Sequence, residues 1–186
     1  VKGGLRLRFF RRFIWFILSR LFLISSLIAI FALTFYYTMN AADIYIVLKD
    51  GMAARAQVIM YSEDTVSLNR YFLPAYLERD ESLQLKLQGK SPYSWYKVRG
   101  IDHRLEVKWL WSWPWESNAS VDFIEKIPHI DGTILSQYRQ VVLQQGDESA
   151  LYPPRWKAGK YRATLVHENG RWLIKSIVQD NNWKGN

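Results

Sequence analysis

Residues 21–39, LFLISSLIAIFALTFYYTM, form a stretch of nineteen residues without a formal charge. At about 1.5 Å per residue, a helix of this length is about 28 Å long, close to the roughly 30 Å hydrocarbon thickness of a bilayer. Arg20 limits the start of the span, because a guanidinium inside the hydrocarbon costs about 2.5–3.5 kcal/mol. The sequence therefore predicts one transmembrane helix at residues 21–39.

A basic segment, residues 1–20, precedes the predicted span. It holds six of the 25 basic residues and no acidic one, which leaves 19 basic against 17 acidic residues in the rest of the chain. Since basic residues are retained on the cytoplasmic side, this asymmetry predicts a cytoplasmic N-terminus and a C-terminal domain outside the cell membrane. We expect five arginines to contact anionic lipid headgroups of the bilayer: Arg6, Arg8, Arg11, Arg12 and Arg20.

The remainder of the chain, residues 40–186, has the length of a single domain. Its net charge of about +2 is too small for a basic surface, so the sequence predicts no nucleic-acid partner. A cleaved signal peptide is the alternative interpretation of the N-terminus. Its apolar core usually spans about 7–15 residues and ends at an A-x-A-like site, to which residues 39–42, MNAA, give no clean match.

The chain has no cysteine, which excludes disulfides, thiolate zinc sites and a cysteine nucleophile. Its three histidines show no paired ligand spacing, and no nucleophile elbow or nucleotide-binding loop occurs. The sequence therefore predicts no catalytic residue, no metal and no cofactor. Three acidic residues of predicted strands either line a cavity or face water: Asp102, Asp122 and Glu125.

A helix is predicted over residues 43–61, after the capping-type Asp43. Its apolar residues recur at helical spacing, at Ile44, Val47, Leu48, Met52 and Ile59. Arg55 lies in this stripe. It is either a pocket residue that needs a carboxylate or an aliphatic stem buried with its head at the edge. Gly51 lowers helix propensity by about 1 kcal/mol relative to Ala, which indicates close packing at this position.

Short helices are expected at residues 67–73 and 75–80, and the turn sequence GKSPYS at residues 89–94 marks the change to strands. Residues 104–113 alternate with period two and place Trp109, Trp111 and Trp113 on one face. These rings form either core or an exposed aromatic surface for glycan, peptide or lipid. We expect residues 95–101 to be the partner strand, and residues 118–127 to form another strand.

Residues 160–168 and 171–179 flank Asn169-Gly170, the sequence that a type I′ hairpin turn prefers. The predicted register pairs Glu168 with Arg171, His167 with Trp172, Leu165 with Ile174, Thr164 with Lys175, and Tyr161 with Val178. Between the strands, residues 133–146 are predicted to form a helix, although YRQVVL also tolerates a strand.

One amphipathic helix, short helices and antiparallel strands that end in the hairpin NGRWLIKSI resemble the nuclear transport factor 2-like superfamily over about residues 43–179. The resemblance implies an α+β fold in which a curved antiparallel sheet forms a cone around a long helix. With the basic tail and the single span, the chain is also similar to bitopic scaffold subunits of type IV secretion and conjugation systems, and to sporulation-channel proteins.

We therefore expect a single-pass, non-enzymatic interaction or scaffold protein. Its exported domain, residues 40–186, is expected to assemble with itself or with partners of a bacterial cell envelope. The alternative is a cone that is open to a small apolar ligand, with or without isomerase-like chemistry. The residues expected to line such a cavity are Arg55, Trp109, Trp111, His167 and Trp172.

Overall fold

A computed structural model describes residues 3–61, 64–144 and 148–183, with side chains from residue 11 onward except those of Trp109 and Glu148. The described chain is an α+β structure with one long N-terminal helix and antiparallel sheets, which confirms this level of the predicted fold class. It divides into two compact units, Val1–Asn40 and Ala41–Asn186.

Helix α1, Gly3–Met60, contains the predicted apolar segment. Its part Arg11–Met60 is the one helix of the described chain that is long and apolar enough to cross a membrane, and none of its most apolar 18-residue window is buried. Phe22 and Phe31 are each 75% exposed. The predicted long apolar helix near the N-terminus is therefore confirmed, with Arg11, Arg12 and Arg20 exposed on it.

The predicted helix of residues 43–61 is part of α1 and ends at Met60, with Asp43 inside the helix instead of at an N-cap. The predicted stripe is buried at Ile44, Leu48, Met52 and Ile59, and Val47 is half-buried. This face packs in one core with residues of the largest sheet, including Val121, Phe123, Leu165 and Ile174. Burial of about 1.5–3 kcal/mol per large apolar side chain makes this contact the main source of stability.

The C-terminal end of α1 is capped from a later part of the chain. Lys86 Nζ donates hydrogen bonds to Val58 O at 3.0 Å and to Tyr61 O. Ser91 Oγ donates to Ile59 O at 3.4 Å. Because the last carbonyls of a helix lack intrahelical partners and carry partial negative charge, a cation at this position stabilises the end of α1.

Short helices follow α1, as expected, with different bounds. A 3₁₀ turn, Thr65–Arg70, starts at the N-cap Asp64 and replaces the predicted helix of residues 67–73. It ends there because Phe72 forms a parallel bridge with Ile174, in which Ile174 N donates to Tyr71 O at 2.7 Å. The predicted helix of residues 75–80 is the shorter α2, Pro74–Leu77, because Asp80 is already the N-cap of α3, Glu81–Leu87.

Four strands form an antiparallel sheet in the order β2-β3-β5-β6. They are β2, Arg104–Trp109; β3, Asn118–Lys126; β5, Gly159–Glu168; and β6, Arg171–Gln179. The strand predicted at residues 118–127 is thus confirmed. The strand predicted at residues 104–113 ends earlier, because a β-bulge interrupts its pairing between Val107 and Trp109 and a Pro114 turn follows.

The predicted pairing of residues 95–101 with β2 is wrong. Strand β1, Tyr96–Ile101, pairs instead with β4, Ile130–Ile134, in a separate two-stranded sheet. Only two residues separate β1 from β2. The chain changes sheet there because Asp102 N donates to His129 O at 3.0 Å while the His103 ring turns inward to Glu125.

The β5–β6 hairpin confirms the predicted turn and half of its register. Asn169 and Gly170 have φ values of 52° and 78°, and Glu168–Arg171, His167–Trp172 and Leu165–Ile174 are paired. Beyond Leu165 the prediction is wrong by one residue, since Thr164 pairs with Ser176 and Tyr161 with Gln179. A bulge with Lys175 as the extra residue causes this shift.

The helix predicted at residues 133–146 is confirmed in kind as α4, Ser136–Gln144. It begins later than expected because residues 130–134 are used by β4. The predicted end at Gly146 lies outside the described residues. A short 3₁₀ turn, Glu148–Leu151, follows.

Gly51 packs closely against Tyr71 and Ile174, as expected for a glycine inside a helix. A Cβ added to it would lie 2.9 Å from Tyr71 Cβ and 3.1 Å from Ile174 Cδ1. We predict that Gly51→Ala lowers the free energy of unfolding by up to about 2 kcal/mol, because overpacking costs about 1–3 kcal/mol and the gain in helix propensity returns only about 1 kcal/mol.

Urea unfolding of the full chain in detergent micelles measures this change. Gly100→Ala is the matched control, since the nearest atom to its added Cβ is 4.0 Å away. Equal effects of the two substitutions would contradict the packing assigned to Gly51.

Candidate functional site

An open cavity of about 570 Å³ lies beside α1 and the last residues of β6. Its wall comes from α1, the segment of α2 and α3, the loop around Tyr93, and the strands β5 and β6. About half of the wall is apolar or aromatic, with Met52, Ile59, Tyr76, Leu85, Tyr93, Trp156, Tyr161 and Ile177. Such a combination of concave shape and aromatic lining is typical of small-molecule sites.

The polar part of the wall centres on an ion pair between α1 and the start of α3. Arg55 Nε donates to Asp80 Oδ2 at 2.6 Å, and Arg55 Nη2 donates to Asp80 Oδ1 at 3.0 Å. The two side chains are 13% and 2% exposed. Asp80 also accepts from the backbone N–H groups of Ser82 and Leu83 at 3.0 and 3.2 Å, so the same carboxylate caps α3.

Burial disfavours the charged forms of both Arg55 and Asp80, but the attraction between the two groups outweighs this cost. Burial by itself raises the pKa of Asp80, but the hydrogen bonds and positive charge of Arg55 outweigh it and hold the pKa below its ordinary value. Burial by itself lowers the pKa of Arg55, but the hydrogen bonds to Asp80 and its negative charge outweigh this effect. The pKa of Arg55 is therefore raised above its ordinary value. Both groups are therefore charged at neutral pH, and they neutralise each other.

Two tyrosines of the wall keep their protons at neutral pH. Burial raises the pKa of Tyr93 to about 12. Burial also raises the pKa of Tyr76, although the positive charge of Arg55 acts in the opposite direction. Neutral phenols can donate hydrogen bonds to a ligand without adding charge.

A second buried carboxylate lies behind this wall. Glu125 on β3 is 1% exposed, with Oε1 hydrogen-bonded to His103 Nε2 at 3.0 Å. Trp156 Nε1 donates to Glu125 Oε2 at 3.3 Å. Since the Trp156 ring also borders the cavity, this indole joins the cavity wall to Glu125.

Exposed charges surround the cavity. Arg79, Glu81 and Lys157 border it and are exposed. With Arg55 and Asp80, the bordering residues comprise three cations and two carboxylates, a small positive excess. Because Arg55 is occupied by Asp80, a bound anion would be attracted chiefly by the two exposed cations.

The residues predicted to line a cavity lie in different places. Arg55 borders the cavity and has the carboxylate partner that one of its two interpretations required. Trp111 is exposed in the loop after β2, while His167 is exposed and packs against the buried Trp172 with ring centroids 5.1 Å apart. None of these three rings borders the cavity, because His167 and Trp172 flank the hairpin turn whereas the cavity lies at the other end of β6. The side chains of Trp109, Arg6 and Arg8 lie outside the described residues.

Sequence reasoning missed Asp80 as the partner of Arg55 and left Glu125 undecided. Asp80 carries a local signal, since an Asp followed by Glu81 and an apolar Leu83 is typical of a helix N-cap. Glu125 has the same parity in β3 as the buried Val121 and Phe123, which places it on the core face. Asp102 and Asp122 instead form exposed ion pairs with Arg104 and Arg162.

Among the described residues, no three His, Asp or Glu side chains come together in a way that could hold a metal ion. Comparison of the chain with protein-family models, with curated proteins and with solved structures finds no match. The function must therefore be inferred from the geometry of the chain itself.

We predict that Arg55→Met lowers the free energy of unfolding by about 3–5 kcal/mol at pH 7, because it leaves the Asp80 charge buried without a partner. Urea unfolding of the full chain in detergent measures the loss. The double variant Arg55→Met, Asp80→Asn is the matched control. It should recover part of the loss, since Asn still caps α3 and carries no charge.

The difference between the wild type and Arg55→Met should depend on pH. The pKa of Asp80 is lower in the folded than in the unfolded chain, so its stabilisation is full above the ordinary pKa of about 3.9. That stabilisation is lost as the pH falls through the folded-state pKa. A difference that stays constant from pH 7 to pH 3 would show that lost packing, not the ion pair, explains the variant.

Proposed function

We propose that this chain is a single-pass membrane protein whose C-terminal domain is a non-enzymatic assembly module outside the cell membrane. In this proposal residues 21–39 span the bilayer, the basic segment is cytoplasmic, and the domain meets copies of itself or partners in a bacterial cell envelope. Secretion, conjugation and sporulation-channel complexes are the processes that the sequence resemblance favours.

One observation carries the membrane part of the proposal. Large apolar side chains are exposed all along residues 21–39, whereas Ile44, Leu48, Met52 and Ile59 of the same helix are buried in a core. A continuous apolar surface of this size is unfavourable in water and is the surface that a bilayer requires. The cations that flank it, Arg11, Arg12 and Arg20, support a cytoplasmic N-terminus.

The domain's sheet supports a nuclear transport factor 2-like cone. Bulges interrupt the pairing of β2 with β3 and of β5 with β6, and bulges bend strands and increase their twist. The buried stripe of α1 packs in the core of the same sheet. A bent antiparallel sheet over one long helix is the arrangement that the resemblance implies.

An exposed apolar patch on the domain supports assembly. Trp95 stacks on Tyr138 of α4 with ring centroids 5.0 Å apart, and Trp95 is about half exposed. Val141, one turn after Tyr138 on the same face of α4, is also exposed, while Val142 faces the core. Exposed aromatic and apolar side chains that cluster on a protein surface mark interaction sites more often than isolated ones do.

We predict that Val141→Cys, in the otherwise cysteine-free chain, reacts in intact cells with a membrane-impermeant photoreactive maleimide. On illumination it should form cross-links to a second copy or to an envelope protein, detected by a gel shift and by mass spectrometry. Both results follow because the proposal places α4 outside the membrane and at an interface.

Gln88→Cys, at an exposed polar position, is the matched control for cross-linking. If Val141→Cys reacts only after permeabilisation, the proposed topology is wrong. If it reacts but gives no more cross-linked product than Gln88→Cys, the proposed interface on α4 is wrong.

A second candidate function is favoured by the cavity beside α1. Its aromatic wall, its neutral tyrosines and its exposed Arg79 and Lys157 suit a small apolar molecule, above all one that carries a carboxylate. The cavity is large enough for such a ligand. Asp80 is occupied by Arg55 and two backbone N–H groups, so the geometry favours binding over chemistry at this carboxylate.

The three methionines provide a direct test of this second function. Met52 borders the cavity, Met60 is buried elsewhere in the core, and Met39 lies in the proposed span. We predict that benzoate shifts the ¹³C-methyl NMR signal of Met52 in the full chain and leaves those of Met60 and Met39 unchanged. Toluene is the uncharged control, and weaker binding of toluene is expected if Arg79 and Lys157 attract the carboxylate.

A Met52 signal that saturating benzoate and toluene both leave unmoved would contradict the ligand-binding function. Equal shifts of all three methionines would indicate partitioning into the detergent, which contradicts it as well.

A further inference from the structure

Residues 110–117, LWSWPWES, form a loop between β2 and β3 that we name the tryptophan loop. Trp111 and Trp115 are 48% and 67% exposed. The rings of Trp111 and Trp113 meet edge to face at 5.1 Å, and those of Trp113 and Trp115 stack at 4.9 Å. Three neighbouring indoles therefore form one aromatic surface on the domain.

The loop is held in shape by its own turn. Trp113 N donates to the Glu116 carboxylate at 2.9 Å, and Glu116 N donates to Trp113 O at 3.0 Å. Pro114 lies within the turn and fixes a backbone angle. Since little ordering is needed on binding, the indoles form a preorganised surface.

The tryptophan loop lies at the hairpin-turn end of the largest sheet. Asn118, which follows the loop, pairs with Val166 at the end of β5. His167 N donates to Ser117 O at 2.8 Å. The last residue of the loop is thus next to the strand that enters the Asn169-Gly170 turn.

Residue Ala41, where the domain begins, lies at the same end. Gly51 packs against Ile174, and further along α1 Arg55 and Ile59 border the cavity together with Ile177, so α1 and β6 run in the same direction. At about 1.5 Å per helical residue, Ala41 is about 15 Å before Gly51. At about 3.3 Å per strand residue, the hairpin turn is about 13 Å before Ile174.

We infer that the tryptophan loop inserts into the headgroup region of the bilayer and is a second membrane contact of the domain. This inference rests on the proposed span, which ends at Met39, two residues before Ala41. Chain connection alone holds Ala41 within two residues of the proposed span, and the inference is that the bilayer also reaches the loop at this end of the domain. Tryptophan is enriched at membrane interfaces because its ring is apolar while its N–H is polar.

The chemistry of the loop favours lipid recognition by rings over recognition by charge. Residues 110–117 contain no Lys or Arg, and the one carboxylate, Glu116, is used in the turn. The loop should therefore enter zwitterionic bilayers, whereas the basic segment depends on anionic lipid. If the tryptophan loop instead binds a glycan or a protein, it has no ligand in pure lipid vesicles and stays in water.

Because the chain has no cysteine, single spin labels can report depth in the membrane. We would label Ser117→Cys in the loop, Ile30→Cys in the proposed span, and Asn181→Cys at the other end of the sheet, each in the full chain in phosphatidylcholine vesicles. Collision with oxygen and with a water-soluble nickel chelate is then measured. We expect residue 30 at hydrocarbon depth, residue 117 at headgroup depth and residue 181 in water.

Replacement of the exposed indoles tests their role. Trp111→Ser with Trp115→Ser should move the label at residue 117 into water, while Tyr152→Ser, the loss of an exposed ring elsewhere, should leave its depth unchanged. Near-ultraviolet circular dichroism checks that each variant remains folded. A folded double variant whose label stays at headgroup depth would contradict insertion through the indoles.

The outcomes separate this inference from the proposed span. If residue 30 lies at hydrocarbon depth while residue 117 collides with the chelate as freely as residue 181 does, the inference is wrong and the span stands. If residue 30 itself lies in water, the proposed span is wrong, and the inference is wrong with it.

Discussion

The buried stripe of α1 passes through Arg55, and the position of α3 depends on the partner that this charge requires. A guanidinium inside a core is tolerated only with a partner, and Asp80 supplies it through two hydrogen bonds. Asp80 in turn caps α3, whose Lys86 reaches back to the last carbonyls of α1. Helix α3 is therefore tied to α1 near both of its ends, and these ties place the polar side of the cavity.

The same ion pair limits what the cavity can do. Because Asp80 occupies the Arg55 fork, the strongest cation of the wall is neutralised before any ligand arrives. Specificity is left to the shape of the aromatic wall and to Arg79 and Lys157, which are exposed and screened by salt. This arrangement suits modest, salt-sensitive affinity for a small apolar molecule with a carboxylate better than tight recognition of such a molecule.

Local patterns were predictable from the sequence, and pairings distant in the chain were not. The period of α1 and the Asn169-Gly170 turn each involve neighbours in sequence, so their side chains report the structure directly. The alternation of apolar and polar residues in β5 and β6 does not reveal the bulge at Lys175. The bulge shifts the pairing by one residue only beyond Leu165. The β1–β4 pairing depends on His103 turning toward Glu125, a contact between residues 22 positions apart.

The tryptophans of residues 109–115 show why the distinction between core and surface could not be drawn from periodicity. Their alternation favours a strand with one apolar face, but the bulge before Trp109 and the turn at Pro114 end the strand and leave two indoles in solvent. Exposure of such rings in water is unfavourable. A bilayer at the Ala41 end of the domain would remove that cost, and the proposed span and the proposed contact of the tryptophan loop would then act as one membrane contact.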